Sequence, residues 1–147
     1  MERTAVGNDN VVAILPYGNS GMVLLTVDSG LFVYEHGTVS ALRTDIDAQL
    51  RWAKGNRAVM VGDSILAIGT ILDGIYGVDK KGHLLWHLNR DNQLNNNSVM
   101  GLFGDRENNL WAALDDGISF VHTNTSITLL TPSVRDLSIG MVYGVER

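Results

Sequence analysis

From Val11 to Leu130 the chain alternates short apolar runs with turn residues. The runs fall into groups of four. The first group is Val11–Tyr17, Met22–Val27, Leu31–Tyr34 and Val39–Leu42. The second is Ala58–Val61, Ile65–Thr70, Ile75–Val78 and Leu84–Leu88, and the third is Val99–Phe103, Leu110–Leu114, Ile118–Val121 and Ile127–Leu130. A further run, Met141–Val145, reads as the opening strand of a fourth group. Runs of this length, punctuated by Gly, Asn, Asp and Ser, predict strands joined by hairpins. Only Thr44–Ala53 competes as a helix. Thr44 followed three residues later by Asp47 imitates a capping box, and Leu50 and Ala53 would share a face. One or two helical turns inside a connection are therefore expected.

The groups are copies of one another. Leu24–Leu31, Ile68–Ile75 and Trp111–Ile118 align on Gly30, Gly74 and Gly117, which lie 44 and 43 residues apart. A period in the low forties is that of a four-stranded propeller blade. The expected fold is all-β: about three four-stranded antiparallel blades plus the start of a fourth, a partial β-propeller. Residues 11–145 would form it, with repeats near 11–42, 57–88 and 98–130 and the next starting at 139, after an N-terminal extension of residues 1–10. In this alignment Leu24, Ile68 and Trp111 are equivalent and should pack between neighbouring blades. Trp111 as a stacking platform for a ligand is the weaker reading. Closed propellers need roughly four to eight blades. The end blades would leave apolar faces uncovered, so self-association is expected, as a homodimer completing a six- or seven-bladed ring.

Composition narrows the chemistry. The 147 residues fit one domain, and 45% hydrophobic against 18% charged residues argues against disorder. A net charge of -5 gives no phosphate-neutralising surface, so no nucleic-acid partner is expected. The longest apolar runs have strand length, so no membrane insertion by this segment is expected. Met1-Glu2-Arg3 opens no signal-type stretch; the chain reads either as cytoplasmic or as a piece whose export signal lies elsewhere. With no cysteine there is neither a disulfide nor a thiolate metal site, and no cofactor is implied. His36, His83, His87 and His122 have no partner set by spacing, so polar surface is expected of them rather than a metal site. The adjacent Asp115 and Asp116 invite a glycosidase reading. Neighbouring strand residues point to opposite faces, however. Asp28 aligns with Asp115 and Asp73 with Asp116, and an aspartate recurring before glycine is usually a turn-former. No Gly-x-Ser-x-Gly elbow occurs, and no catalytic residue is expected.

The residues Leu94 to Val99, then Asp105, Asn109-Leu110-Trp111 and Asp116-Gly117-Ile118 resemble the two-component-regulator propeller repeat. That repeat runs Asn-x-Val, an Asp, Gly-Asn-Leu-Trp-Ile-Gly-Thr and Gly-Leu. The second unit keeps Ile68-Gly69-Thr70 and Gly74-Ile75; the first keeps Thr26 and Gly30-Leu31 and lacks the Trp. Ile14-Leu15-Pro16-Tyr17 and Gly69–Tyr76 are similar to bacterial triple-tyrosine sensor proteins. The resemblance implies a segment of a sensor outside the inner membrane, on the periplasmic side, joined in the whole protein to a histidine kinase or helix-turn-helix output. It implies glycan fragments as ligands. A protein-interaction scaffold and a piece of a propeller enzyme are the alternatives.

In an up-and-down sheet the turns between second and third strands share an end with the links between blades. That end collects Asp28, Ser29, Asp73, Asp115 and Asp116 from the turns. The links add Arg90, Asp91, Asn92, Asn95, Asn96 and Arg135, with Trp52 nearby. Carboxylates, amides and guanidinium groups beside an aromatic suit an oligosaccharide. The candidate ligand-binding residues are Trp52, Asp73, Arg90, Asn92, Asn95, Asp115, Asp116 and Arg135.

Overall fold

The structure, a computed structural model, describes residues 8–92, 94–123 and 128–130. The expected fourth-unit strand Met141–Val145, Arg135 and most of the N-terminal extension lie outside the described residues. Each group of four runs forms one antiparallel sheet in sequence order. The first holds β1 (Val11–Tyr17), β2 (Gly21–Thr26), β3 (Leu31–Glu35) and β4 (Thr38–Leu42). The second holds β5 (Gly55–Val61), β6 (Ile65–Thr70), β7 (Ile75–Asp79) and β8 (Leu84–Leu88). The third holds β9 (Val99–Gly104), β10 (Leu110–Leu114), β11 (Gly117–His122) and β12 (Thr128–Leu130). The first strands meet, β1 against β5 and β5 against β9, so each sheet has one strand at a shared centre and its fourth strand outermost. This is the propeller-blade arrangement.

Two apolar layers hold the three sheets together. Val23, Leu25 and Leu31 of the first sheet pack with Leu66, Ile68 and Tyr76 of the second. Val61, Ala67 and Ile75 of the second pack with Val99, Leu110 and Ala112 of the third. Side chains alternate between faces along a strand, so β6 sends Leu66 and Ile68 one way and Ala67 the other. A strand buried on both faces reads as a continuous apolar run, which Ile65 to Ile68 is. Burying one such aliphatic side chain contributes about 1.5–3 kcal/mol. Trp86 lies over Gly77, its strand partner; a Cβ at Gly77 would meet the indole at 2.3 Å.

The link from β4 to β5 crosses from the outer edge to the centre. Asp45 ties it to the outer hairpin of the second sheet: its N–H donates to Gly82 O at 2.9 Å, and its carboxylate accepts from Leu84 N at 2.9 Å. Two turns of helix follow, α1 (Asp47–Ala53), with Leu50 and Ala53 buried as expected. Half of the anticipated capping box is present. Asp47 Oδ1 accepts from the Thr44 N–H at 2.9 Å, while the Thr44 hydroxyl turns to the same carboxylate at 2.7 Å. β5 starts at Gly55, three residues before the apolar run, with a register shift between Gly55 and Arg57. Gly55 is pressed on Leu25, whose Cδ1 would lie 2.9 Å from an added Cβ.

The repeat is most exact in its hydrogen bonds. Val27 N donates to Asn10 O, Ile71 N to Lys54 O and Asp115 N to Ser98 O, at 3.1, 3.0 and 3.0 Å. Donors and acceptors are each 44 residues from their counterparts, so every second-to-third turn is tied to the chain entering its own sheet. In the first two turns a buried threonine closes the loop, Thr26 Oγ1 to Gly30 O at 2.8 Å and Thr70 Oγ1 to Gly74 O at 2.9 Å. The third turn has Leu114 in that place and is one residue shorter, which is why the glycine spacing falls from 44 to 43. A shift of one residue exchanges the faces of a strand. Trp111 is therefore the counterpart of Val23 and Ala67, not of Leu24 and Ile68. It points away from the second sheet, and Ala112 takes the position between sheets that the glycine alignment assigns to the tryptophan.

Candidate functional site

The link between β8 and β9 organises the expected ligand end. After a short 3-10 turn, Arg90–Asn92, it runs between two hairpin tips. Asn97 O accepts from Gly74 N at 2.9 Å, and the next carbonyl, Ser98 O, accepts from Asp115 N at 3.0 Å. Asn97 Oδ1 accepts from Arg90 N at 2.8 Å and folds the link back on itself. Asp73, Arg90, Asn95 and Asp115 are thereby gathered around one segment. Asp116 follows Asp115 and is exposed, as is Arg90. Trp52, 54% exposed, precedes Ala53, whose carbonyl accepts from Leu72 N at 3.0 Å. Leu72 is exposed too, so two apolar side chains stand beside the Asp73 turn. Asn92 ends the 3-10 turn.

Asp73 has a different role from the one its position implies. Tyr76 Oη donates to Asp73 Oδ2, and Asn89 Nδ2 donates to Oδ1 at 2.9 Å. His87 Nε2 donates to the Asp73 carbonyl at 2.8 Å and stacks on Tyr76, with ring centroids 3.9 Å apart and planes 7° from parallel. Both carboxylate oxygens are thus engaged inside the protein. Burial, followed by the hydrogen bond and charge of Asp73, pushes the Tyr76 hydroxyl well above the usual phenol range. His87 is part of this cluster rather than polar surface. Nothing in the repeat reveals it, because Tyr76, His87 and Asn89 come from three places around one turn.

The first sheet presents a smaller version. Asp9 accepts from Asp28 N at 3.0 Å. Burial works against its charge, but hydrogen bonds from Ser29, Thr26 and the Asp28 and Asn10 amides hold its carboxyl below the usual range. The Asp28 carboxylate is in turn ion-paired with Lys54.

The other end of the sheets carries the structural half of the repeat motif. Asp105 Oδ1 accepts from the Glu107 and Asn109 N–H groups, both at 2.9 Å, and Oδ2 accepts from Trp111 Nε1 at 3.1 Å. Asn109 is 2% exposed and pairs through Oδ1 with His122 Nδ1 at 2.8 Å. The Asp, Asn and Trp of the motif therefore build a hairpin. Two shallow hollows of about 330 and 280 Å3 open at this end, one beside Lys80, Lys81 and His83, the other between Asp63, Ser64, Asn108 and Thr123. A third, of about 300 Å3, lies on the outer face of the third sheet over Phe103, Trp111 and Ile118. None of these three includes an expected ligand residue. Among the described residues no cluster of His, Asp and Glu could hold a metal ion, and no helix is long and apolar enough to cross a membrane.

No family model matches the chain, and no curated protein does. Solved structures do. Two of them are of the extracellular domain of BT4673 from B. thetaiotaomicron, described in one case as a one component system and in the other as a hybrid two component system. The first matches with a TM-score of 0.63 at 18% identity over 82% of this chain, the second with 0.62 at 19% over 87%. The chain spans only 18% and 19% of those two chains. In fold, this chain resembles a segment of that extracellular domain.

Proposed function

We propose that the chain is a segment of an extracytoplasmic sensor propeller from a bacterial signal-transduction regulator, lying on the periplasmic side, and that it binds rather than catalyses. The bound molecule is an oligosaccharide. It sits on the end formed by the second-to-third turns and the links. The observation that carries this is the 44-residue recurrence of the turn-to-link hydrogen bond. It makes this end a rigid backbone platform from which Arg90, Asp115 and Asp116 project into solvent with Trp52 beside them. Polar groups held on fixed backbone next to an aromatic face are what a sugar needs. Asp73 supports the platform through Tyr76 and Asn89 instead of touching the ligand.

The test is a glycan-binding screen on the complete sensor, repeated with two double variants. Arg90→Ala with Asn92→Ala is expected to weaken binding roughly tenfold or more, as the loss of two polar contacts should. His36→Ala with His122→Ala is expected to leave it unchanged. The reverse pattern would place the ligand at the opposite end.

A further inference from the structure

The β8–β9 link is fastened through one half-buried residue. Asn89 follows β8 directly. Its Nδ2 donates to Asp73 Oδ1 at 2.9 Å, and its Oδ1 accepts from Asp91 N at 3.0 Å. Its own carbonyl accepts from Leu94 N at 3.0 Å. Leu94 is 4% exposed and packs in the apolar layer between the second and third sheets. The turn Arg90–Asn92 is therefore held at both ends from a single residue. Arg90 and Asp91 themselves are exposed. Gly74 allows the close approach this needs: a Cβ there would lie 2.0 Å from Leu88 O and 2.9 Å from Asn89 Cα.

The two neighbours of this side chain call for an amide. A carboxylate only accepts hydrogen bonds, and a backbone N–H only donates. The group between Asp73 and Asp91 N must offer a donor on one arm and an acceptor on the other. Aspartate would offer two acceptors and set a second carboxylate against that of Asp73. The Asp73 carboxylate is held in place, since Tyr76 Oη donates to its other oxygen. Tyr76 is 1% exposed and packs between the first and second sheets. A line of bonded groups thus runs from that layer, through Tyr76, Asp73 and Asn89, to the backbone that carries Arg90. We infer that Asn89 is a positioning residue for ligand binding: it does not touch the ligand but fixes the backbone from which Arg90 reaches it. The ligand is the oligosaccharide proposed above, so the role in binding rests on that reading, whereas the fixing of the turn stands without it. Donor and acceptor are interchangeable along this line. In the exchanged pair, Asp73→Asn with Asn89→Asp, the new amide at position 73 donates to the new carboxylate at position 89 and still accepts from Tyr76 Oη. That carboxylate still accepts from Asp91 N.

The test is made on the complete sensor with two readouts: hydrogen exchange at the Asp91 and Leu94 amides, and capture on a printed array of neutral and acidic oligosaccharides. Asn89→Asp is expected to speed exchange at both amides about tenfold and to cut capture about tenfold. Asn89→Ala adds no charge and is expected to loosen the same amides, which separates loss of the bonds from repulsion. Adding Asp73→Asn to Asn89→Asp is expected to return both readouts to wild type. Asn89→Asp placed on Arg90→Ala with Asn92→Ala is expected to cost no further capture, because it acts only through that turn. A residue that merely stabilised the fold would add its own loss. Unchanged exchange in both single variants, no return on adding Asp73→Asn, or an added loss in the last variant would each overturn the role. An array that captures no wild-type sensor would sink the oligosaccharide reading, and with it the part of Asn89 in binding; the exchange result would still decide whether Asn89 fixes the turn.

Discussion

The second and third sheets are copies of one unit with different surroundings. The second is covered on both faces, and its strands β6 and β7 are buried nearly throughout. The third packs on the second through one face and carries Phe103, 63% exposed, on the other. Coverage has changed the residues more than the backbone. In the second sheet Gly69 makes room for Val99 of the third, and Gly77 makes room for Trp86 of its own neighbouring strand. The third has Ala113 and Phe120 at the corresponding places. Size at a repeated position therefore reports what lies above it.

The largest expected effect is at a turn. Gly74 has φ +79°, and a Cβ there would fall 2.0 Å from Leu88 O; its counterpart Gly30 has φ +88° with nothing within 4 Å. Gly74→Ala should cost about 4 kcal/mol, backbone strain and overlap together, and Gly30→Ala about 1–2 kcal/mol from strain alone. Urea midpoints of the two variants give the difference; equal losses would mean that the tight approach at Leu88 relaxes freely.

Next comes the core. Ile68→Ala, at a fully buried site between sheets, should cost about 3 kcal/mol. Ile118→Ala, half-buried on the other face of the third sheet, should cost about 1 kcal/mol. A loss at Ile118 as large as at Ile68 would show that the two faces are equally well packed.

Smaller again is the threonine latch. Thr70 Oγ1 donates to Gly74 O and accepts from Asp73 N at 3.0 Å. Thr70→Val should cost about 1–2 kcal/mol. The third turn does without such a latch, so Leu114→Ala should show only the loss of apolar packing and leave the protection of its turn amides against hydrogen exchange unchanged.

The smallest effect is on acid stability. The hydrogen bond from His83 N, helped by Lys81 N and the His83 side chain, holds the Asp79 carboxyl below its ordinary 3.8 against the opposing desolvation. A depressed folded value stabilises above the unfolded pKa, and the contribution disappears as pH falls through the folded one. Asp79→Asn should flatten the stability profile below about pH 4 and leave the neutral-pH slope alone. Acid titration of unfolding in both proteins checks it.

Much of this was legible in the residues. The four-run grouping, the glycine register and a short helix within Thr44–Ala53, observed at Asp47–Ala53, follow from apolar period and turn chemistry, which act over a few residues. Three things did not follow. Trp111 was assigned to the wrong face because counting back from Gly117 hides a residue missing from the turn before it. The start of β5 was invisible because Gly55, Asn56 and Arg57 carry no apolar pattern; Gly55 is there to let Leu25 approach. Asp73 looked like a surface turn-former because its partners Tyr76, His87 and Asn89 are brought to it only when β7 and β8 pair. Which turns and links share an end of the sheets was legible from strand order; that the Asp73 carboxylate is engaged inside the protein was not.

The β8–β9 link has a mechanical consequence. Consecutive carbonyls, Asn97 O and Ser98 O, hold neighbouring hairpin tips on opposite sides of one strap. Neither tip can be displaced without loading that strap. A push on the Asp115 turn is passed to the Asp73 turn through two peptide units, with no side chain in the path. Stiffness at this end of the molecule is thus shared between sheets, and a force applied at one tip is carried around the arc instead of being absorbed where it lands.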